Sequence, residues 1–290
     1  MNHRPVIPIA KASDNLLIPE QHAALIYVVL VAATIAGLYT YTRVVARVGG
    51  DSSRIRSDLF SFADVPVVGL IIAFFGLTAI SAWFLNAPKA EPATLKLEQI
   101  IPGALQFAVF PIGIMVFLHA RNVSITEAFG LSKVRLGKAA TLALGLLLAL
   151  LPSFFLITDI AARKLGEGAE LQPLVELYRS GVRERDYKVI LHTFVAAAVI
   201  APLAEEFLFR GYLYATLKRA IGALPSAVFG AVLFAAIHNN AVSLPGLFIL
   251  ALALTVAYEW SGSLWVPVFM HAFFNSLSLI IAAATAHQQP

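Results

Sequence analysis

Two adjacent glutamates and an arginine, Glu205, Glu206 and Arg210, interrupt an apolar run in the stretch LAEEFLFRG. Downstream lie FAAIH, ending at His238, and HAFFN, running from His271 to Asn275. A carboxylate paired with a histidine can hold a water molecule and take its proton. A second histidine with a side-chain amide can donate hydrogen bonds to an oxyanion. Together these groups could hydrolyse an amide through activated water, with no covalent intermediate. The chain has no cysteine, which excludes disulfides, thiolate catalysis, thiolate metal sites and cysteine lipidation.

Each residue also has a plainer use. On a helix Glu206 and Arg210, four apart, share a face and can form an ion pair that only fixes packing. Glu205 lies about 100° round from Glu206 and points elsewhere, where it could be a packing acid bonded to a neighbouring helix. A single histidine in an apolar helix is commonly a satisfied packing residue. The chemical reading rests on the set. Ionisable groups within a membrane cost roughly 2.5–3.5 kcal/mol each and persist where they pair, face a cavity or react. At 1.5 Å per residue, Glu205 lies about 20 Å from the Leu217 end of its helix, and His238 about 21 Å from the Leu224 end of the next. Asn275 and His271 lie about 16 Å and about 10 Å from the Leu264 end of the last helix, on the same side. The four can therefore converge in one pocket. Zinc is the competing use of the same residues, but no HExxH or similar spacing is present and the ligands would come from three helices. No bound cofactor is expected. His3, His22 and His287 lie in the tails, His119 at a helix end near Arg121, and His192 thirteen residues before Glu205; none joins the set.

The elements that must position these residues are membrane helices. Of 290 residues, 59% are hydrophobic and 13% charged, against about 45–50% and about 25% in an ordinary soluble domain. The mean hydropathy is +0.80. The expected fold is all-α, a polytopic transmembrane bundle of about eight spans at 23–42, 65–85, 100–119, 139–161, 189–217, 224–238, 244–260 and 264–286. The span 224–238 is short, and is either tilted or ends in a re-entrant turn around HNNAVSLPG. The first two spans read as anchors. SITE, from Ser124 to Glu127, is a capping box that should start a short helix. The segment 163–188 contains an apolar stripe of Leu171, Leu174, Val175, Tyr178 and Val182 opposite a charged face, which reads as an interfacial helix or an ordinary loop helix.

The chain divides into a polar tail (1–22), N-terminal membrane helices and loops (23–162), the amphipathic segment (163–188), core helices (189–286) and a short tail (287–290). No cleaved leader is expected, since no apolar core closely follows the first arginine. There is no internal repeat. The net charge of +4 carries no nucleic-acid stripe or module. With eight spans, the first, third and fifth connections share one side and carry Arg43, Arg47, Arg54, Arg56, Arg121, Lys133, Arg135, Lys138, Lys218 and Arg219. Basic residues favour the cytoplasm, so that side is assigned there. The fourth connection, with six basic residues between Arg163 and Lys188, argues the other way.

EEFLFR resembles the EExxxR motif of the CAAX protease and bacteriocin-processing family of intramembrane proteases, which includes the Ras-converting endopeptidases. FAAIH and HAFFN resemble its FxxxH and HxxxN motifs, in the same order, over roughly the last third of the chain. The resemblance implies an eight-helix core and a glutamate-type endopeptidase acting on a membrane-tethered peptide or protein. It implies that Glu205 and His238 activate water, that His271 and Asn275 form the oxyanion site, and that Glu206 and Arg210 support them. Multi-pass membrane localisation follows, in the plasma membrane if the source is bacterial. The alternatives are a non-catalytic receptor, scaffold or immunity-type protein on the same fold, or a zinc-dependent protease using the same residues. A transporter would predict paired halves with broken helices, which the sequence does not show.

Overall fold

The computed structural model describes residues 23–47, 54–84, 97–165 and 173–287. The expectations for the tail 1–22, for Leu171 in the apolar stripe and for residues 288–290 lie outside the described residues. Ten helices and no strand occur among those described: α1 (Ala23–Ala46), α2 (Val65–Phe84), α3 (Leu97–Ala120), α4 (Ile125–Ala128), α5 (Leu136–Leu165), α6 (Pro173–Glu184), α7 (Tyr187–Ile221), α8 (Ala223–Ile237), α9 (Leu244–Ser261) and α10 (Trp265–Ala284). All eight expected spans are helices, within a few residues at each end. Six of them are long and apolar enough to cross a membrane, counting only described residues. The chain is a multi-pass integral membrane protein.

Helix α5 packs against α1 on one side and against α9 and α10 on the other. The α1 contact is close. A Cβ on Gly37 would lie 2.0 Å from the Ala149 carbonyl oxygen, so only glycine lets the backbones approach, as small residues do between membrane helices. Tyr41 Oη donates to the Leu146 carbonyl at 3.0 Å, and Tyr27 Oη donates to Asp159. Val44 of α1 is also buried, and most of its remaining large apolar side chains are exposed.

The first, third and fifth connections and the α9–α10 turn meet on one side, as the alternating direction of successive spans requires. Arg56 pairs with Asp58 and Glu127, and holds the Asp58 carboxyl below its usual range chiefly by hydrogen bonding. Arg219 donates to the carbonyls of Asp58 and Phe60. Leu264 N–H donates to the Phe129 carbonyl at 3.0 Å. Gly130 and Gly262 both have positive φ, and a Cβ on Gly130 would lie 1.9 Å from the Gly262 carbonyl oxygen. Both turns therefore need glycine.

At the expected capping box only half forms. Ser124 Oγ accepts from the Glu127 N–H at 3.4 Å, while the Glu127 carboxylate turns to Arg56. A complete capping box stands instead at Ser61 and Asp64, leading into α2. In α6, Tyr178 and Arg179 are buried, and Arg179 donates to the Thr285 carbonyl at 3.0 Å. The apolar stripe thus packs on α7 and the end of α10.

Candidate active site

Helix α7 is not regular. Two segments, Ala196–Ile200 and Phe207–Tyr214, are wound as π-helix, a distortion that recurs at functional sites. Glu205 and Glu206 sit on the α-helical turn between them. Across the second segment the Arg210 guanidinium donates from Nη1 to Glu206 Oε1 at 2.7 Å, with both side chains buried. Its Nη2 donates to the Ala251 carbonyl of α9 at 3.2 Å. The ion pair read from the i,i+4 spacing is present, and it ties α7 to α9.

Helix α10 brings His271 to the same carboxylate, with Nδ1 2.8 Å from Glu206 Oε1. Its other nitrogen, Nε2, lies 3.8 Å from Glu205 Oε2. The two glutamates leave the helix in different directions, and one imidazole spans the angle between them. A carboxylate only accepts, so Nδ1 carries a proton. His271 Nε2 therefore donates a hydrogen bond only when the ring is the charged imidazolium.

His238 caps α8. That helix has 15 residues, about 22 Å, and stops short of crossing a hydrocarbon core of about 30 Å. It ends because Asn239 takes a left-handed conformation, and the next turn is set by Asn240 Oδ1 accepting from the Ser243 N–H at 2.8 Å. The expected turn at HNNAVSLPG is thus what ends α8 at His238. His238 Nδ1 lies 2.6 Å from the Phe234 carbonyl oxygen, which can only accept. The neutral ring therefore presents Nε2 as a lone pair. His238 is close enough to Glu205, His271 and Arg210 for their charges to interact.

Asn275 lies one turn beyond His271 and donates from Nδ2 to the Ala197 carbonyl, in the first π segment, at 2.8 Å. Its second N–H is left for another acceptor. His119 and His192 stay apart from this group; His192 Nδ1 contacts its own helix at Lys188 O.

Phe234 begins the FAAIH motif, but the sequence reading gave it no role. Its fully buried ring stands 4.6 Å from the Arg210 guanidinium carbon, with the His238 and His271 rings centred 4.8 Å and 5.8 Å away. It is the plate that spaces three polar groups. Two further intramembrane acids also escaped notice. Asp159 pairs with Arg163 at 2.7 Å and with Tyr27. Glu259 accepts from Tyr214 Oη at 2.6 Å and pairs with Lys218. The rule applied to Glu205 would have flagged both, and both have basic and phenolic partners that account for them. No group of three His, Asp or Glu side chains disposed to hold a metal ion occurs among the described residues.

Fold and site together define a polytopic membrane protein in which Glu205, Glu206 and His271 meet inside an apolar helix bundle. Residues 188–277 match the family model of the type II CAAX prenyl endopeptidase Rce1-like domain. The chain is also similar to the membrane-embedded CAAX protease MroQ of Staphylococcus aureus (strain USA300), 25% identical over 138 residues, which is 46% of this chain and 54% of that protein. The alignment thus spans about half the length of that relative. No solved structure matches the chain. The similarity to CAAX proteases thus lies in the C-terminal core, residues 188–277.

Proposed function

We propose that the protein is an intramembrane endopeptidase of glutamate type that hydrolyses a peptide bond in a membrane-tethered peptide or protein. The observation that carries the reading is the meeting of Glu205, His238 and His271 from three helices around Phe234, in an apolar bundle. Glu205 takes a proton from a water molecule whose other proton is held by the His238 Nε2 lone pair. The water oxygen bonds to the scissile carbonyl carbon. The resulting oxyanion is stabilised by His271 Nε2–H and the free N–H of Asn275. Glu206 supports this by accepting from His271 Nδ1–H, which fixes the orientation of the ring. The carbon–nitrogen bond then breaks as the proton on Glu205 passes to the leaving amine. The substrate carbonyl oxygen takes the place beside His271 Nε2 that Glu205 holds at rest.

The test is cleavage of a membrane-peptide library by the purified protein in detergent, with products read by mass spectrometry. Glu205→Gln is nearly isosteric but cannot accept the proton, so it should remove cleavage by about 10²–10⁴-fold while leaving the melting temperature close to wild type. A Glu205→Gln protein that cleaves within about threefold of wild type, a difference of less than 1 kcal/mol in the barrier, would remove Glu205 from the base role. A wild-type protein that folds but cleaves nothing would favour a non-catalytic binding role.

A further inference from the structure

On the side where the basic connections gather, a groove of about 450 Å³ runs between the end of α1 and the start of α5. This size falls in the range of small-molecule sites. Tyr39, Arg43 and Arg47 line it from α1, Leu142 and Gly145 from α5, and Trp260 from the end of α9. Arg43 and Arg47 are four residues apart and share a helix face, so their like charges oppose each other. Among the described residues, no carboxylate lines the groove. Nearby cations on the same side are engaged: Arg56 with Asp58 and Glu127, Arg121 with Asp64, Lys218 with Glu259, Arg219 with two carbonyls. Arg43 instead stands over the Tyr39 ring, 6.0 Å from its centre. The groove below the arginines is apolar and open, and a Cβ on Gly145 would meet nothing within 4 Å.

We propose that this groove binds an anionic phospholipid, with the phosphate between Arg43 and Arg47 and an acyl chain lying over Gly145 and Leu142. The charge pair calls for an anion. The apolar floor, on a helix that faces outward, calls for one that carries a hydrocarbon chain. Trp260 sits where interfacial aromatics meet headgroups. A soluble anion would satisfy only the first of these features.

The experiment is native mass spectrometry of the full-length protein, released from detergent with phosphatidylglycerol or phosphatidylcholine. Phosphatidylglycerol should stay bound through one saturable site, and phosphatidylcholine should not. Arg43→Gln with Arg47→Gln should weaken retention about thirtyfold, the effect of two basic residues on an anionic lipid. Lys164→Gln with Lys188→Gln removes the same charge from the opposite side and should change retention less than twofold. Gly145→Phe fills the groove without touching the arginines and should weaken binding of the lipid at least tenfold. Free glycerol phosphate should fail to displace the lipid. The proposal fails if the lysine control loses as much lipid as the arginine variant, if Gly145→Phe has no effect, or if both lipids are retained alike. It fails also if free glycerol phosphate displaces the lipid, or if a dimer forms in its place. None of these readings depends on peptide cleavage.

Discussion

The imidazole of His271 has Nδ1 committed to Glu206 and Nε2 within 3.8 Å of Glu205, and Asn275 has one N–H committed to the Ala197 carbonyl. The identities of these residues stood out in the sequence, because ionisable and amide groups in apolar runs are costly and few. Their partners did not. A backbone carbonyl such as that of Ala197 has no signature in sequence, and the sharing of His271 by two glutamates depends on how α10 faces α7. Asn275 also separates the two chemistries the same residues could support. As an oxyanion donor, its replacement by Ala should lower kcat by about 10²–10³ and leave KM nearly unchanged. Asn275→Asp should do worse, since a carboxylate repels both the oxyanion and the Ala197 carbonyl. Activity should survive extensive chelation and dialysis. In a zinc enzyme the aspartate would be a better ligand, so an Asn275→Asp protein that is active, silenced by chelators and restored by zinc would overturn these roles.

The element that decides the site is α7. Eight spans could be placed from hydropathy because each is an apolar run of nearly the right length, and helix ends follow from where those runs stop. The two π segments were not legible. Widened turns arise from packing, here against a bundle that buries every residue from Leu208 to Tyr214, and no residue type announces them. What holds α7 in rotation is Arg210, which reaches Glu206 on its own helix, Ala251 on α9 and the Phe234 ring on α8. Arg210→Ala strands a carboxylate with no water access and should cost about 3–5 kcal/mol. Expression and melting temperature should fall together, by more than with Glu205→Gln. Glu206→Gln combined with Arg210→Met should recover part of the stability, because the glutamine can still accept from His271 Nδ1–H and no unpaired charge remains. It should not recover full cleavage, since methionine cannot replace the Arg210 bond to the Ala251 carbonyl that holds α7 against α9. An Arg210→Ala protein that melts with wild type would exclude the ion pair as the fastener of α7.

Across the whole molecule, the N-terminal helices are joined to the core by a polar seam, so they are more than the anchors that their low polar content suggested. The seam centres on Asp64, which is fully buried. It accepts from the Ser61 N–H at 2.6 Å, from Arg121 at 2.6 Å and from Tyr212 Oη of α7 at 3.0 Å. The sequence hid this because Asp64 stands at the boundary of a span, where a lone acid looks solvated, and its partners are 57 and 148 residues away. The seam fixes the first connection, which through Arg54 also reaches the Trp260 carbonyl at 2.7 Å. Asp64→Ala should therefore loosen that connection before the bundle melts. Breaking a buried pair costs about 3–5 kcal/mol, whereas Tyr212→Phe removes one hydrogen bond and should cost about 1 kcal/mol. Limited trypsin digestion in detergent reads the difference, since Arg54 and Arg56 lie in the connection. Asp64→Ala should be cut there several times faster than wild type, at a temperature where the core helices α7 to α10 stay intact. Tyr212→Phe should be cut at close to the wild-type rate. If Asp64→Ala instead loses all helices in one step, with no early cleavage at Arg54 or Arg56, the seam is part of the core's own stability and does not act as a separate joint between the two halves.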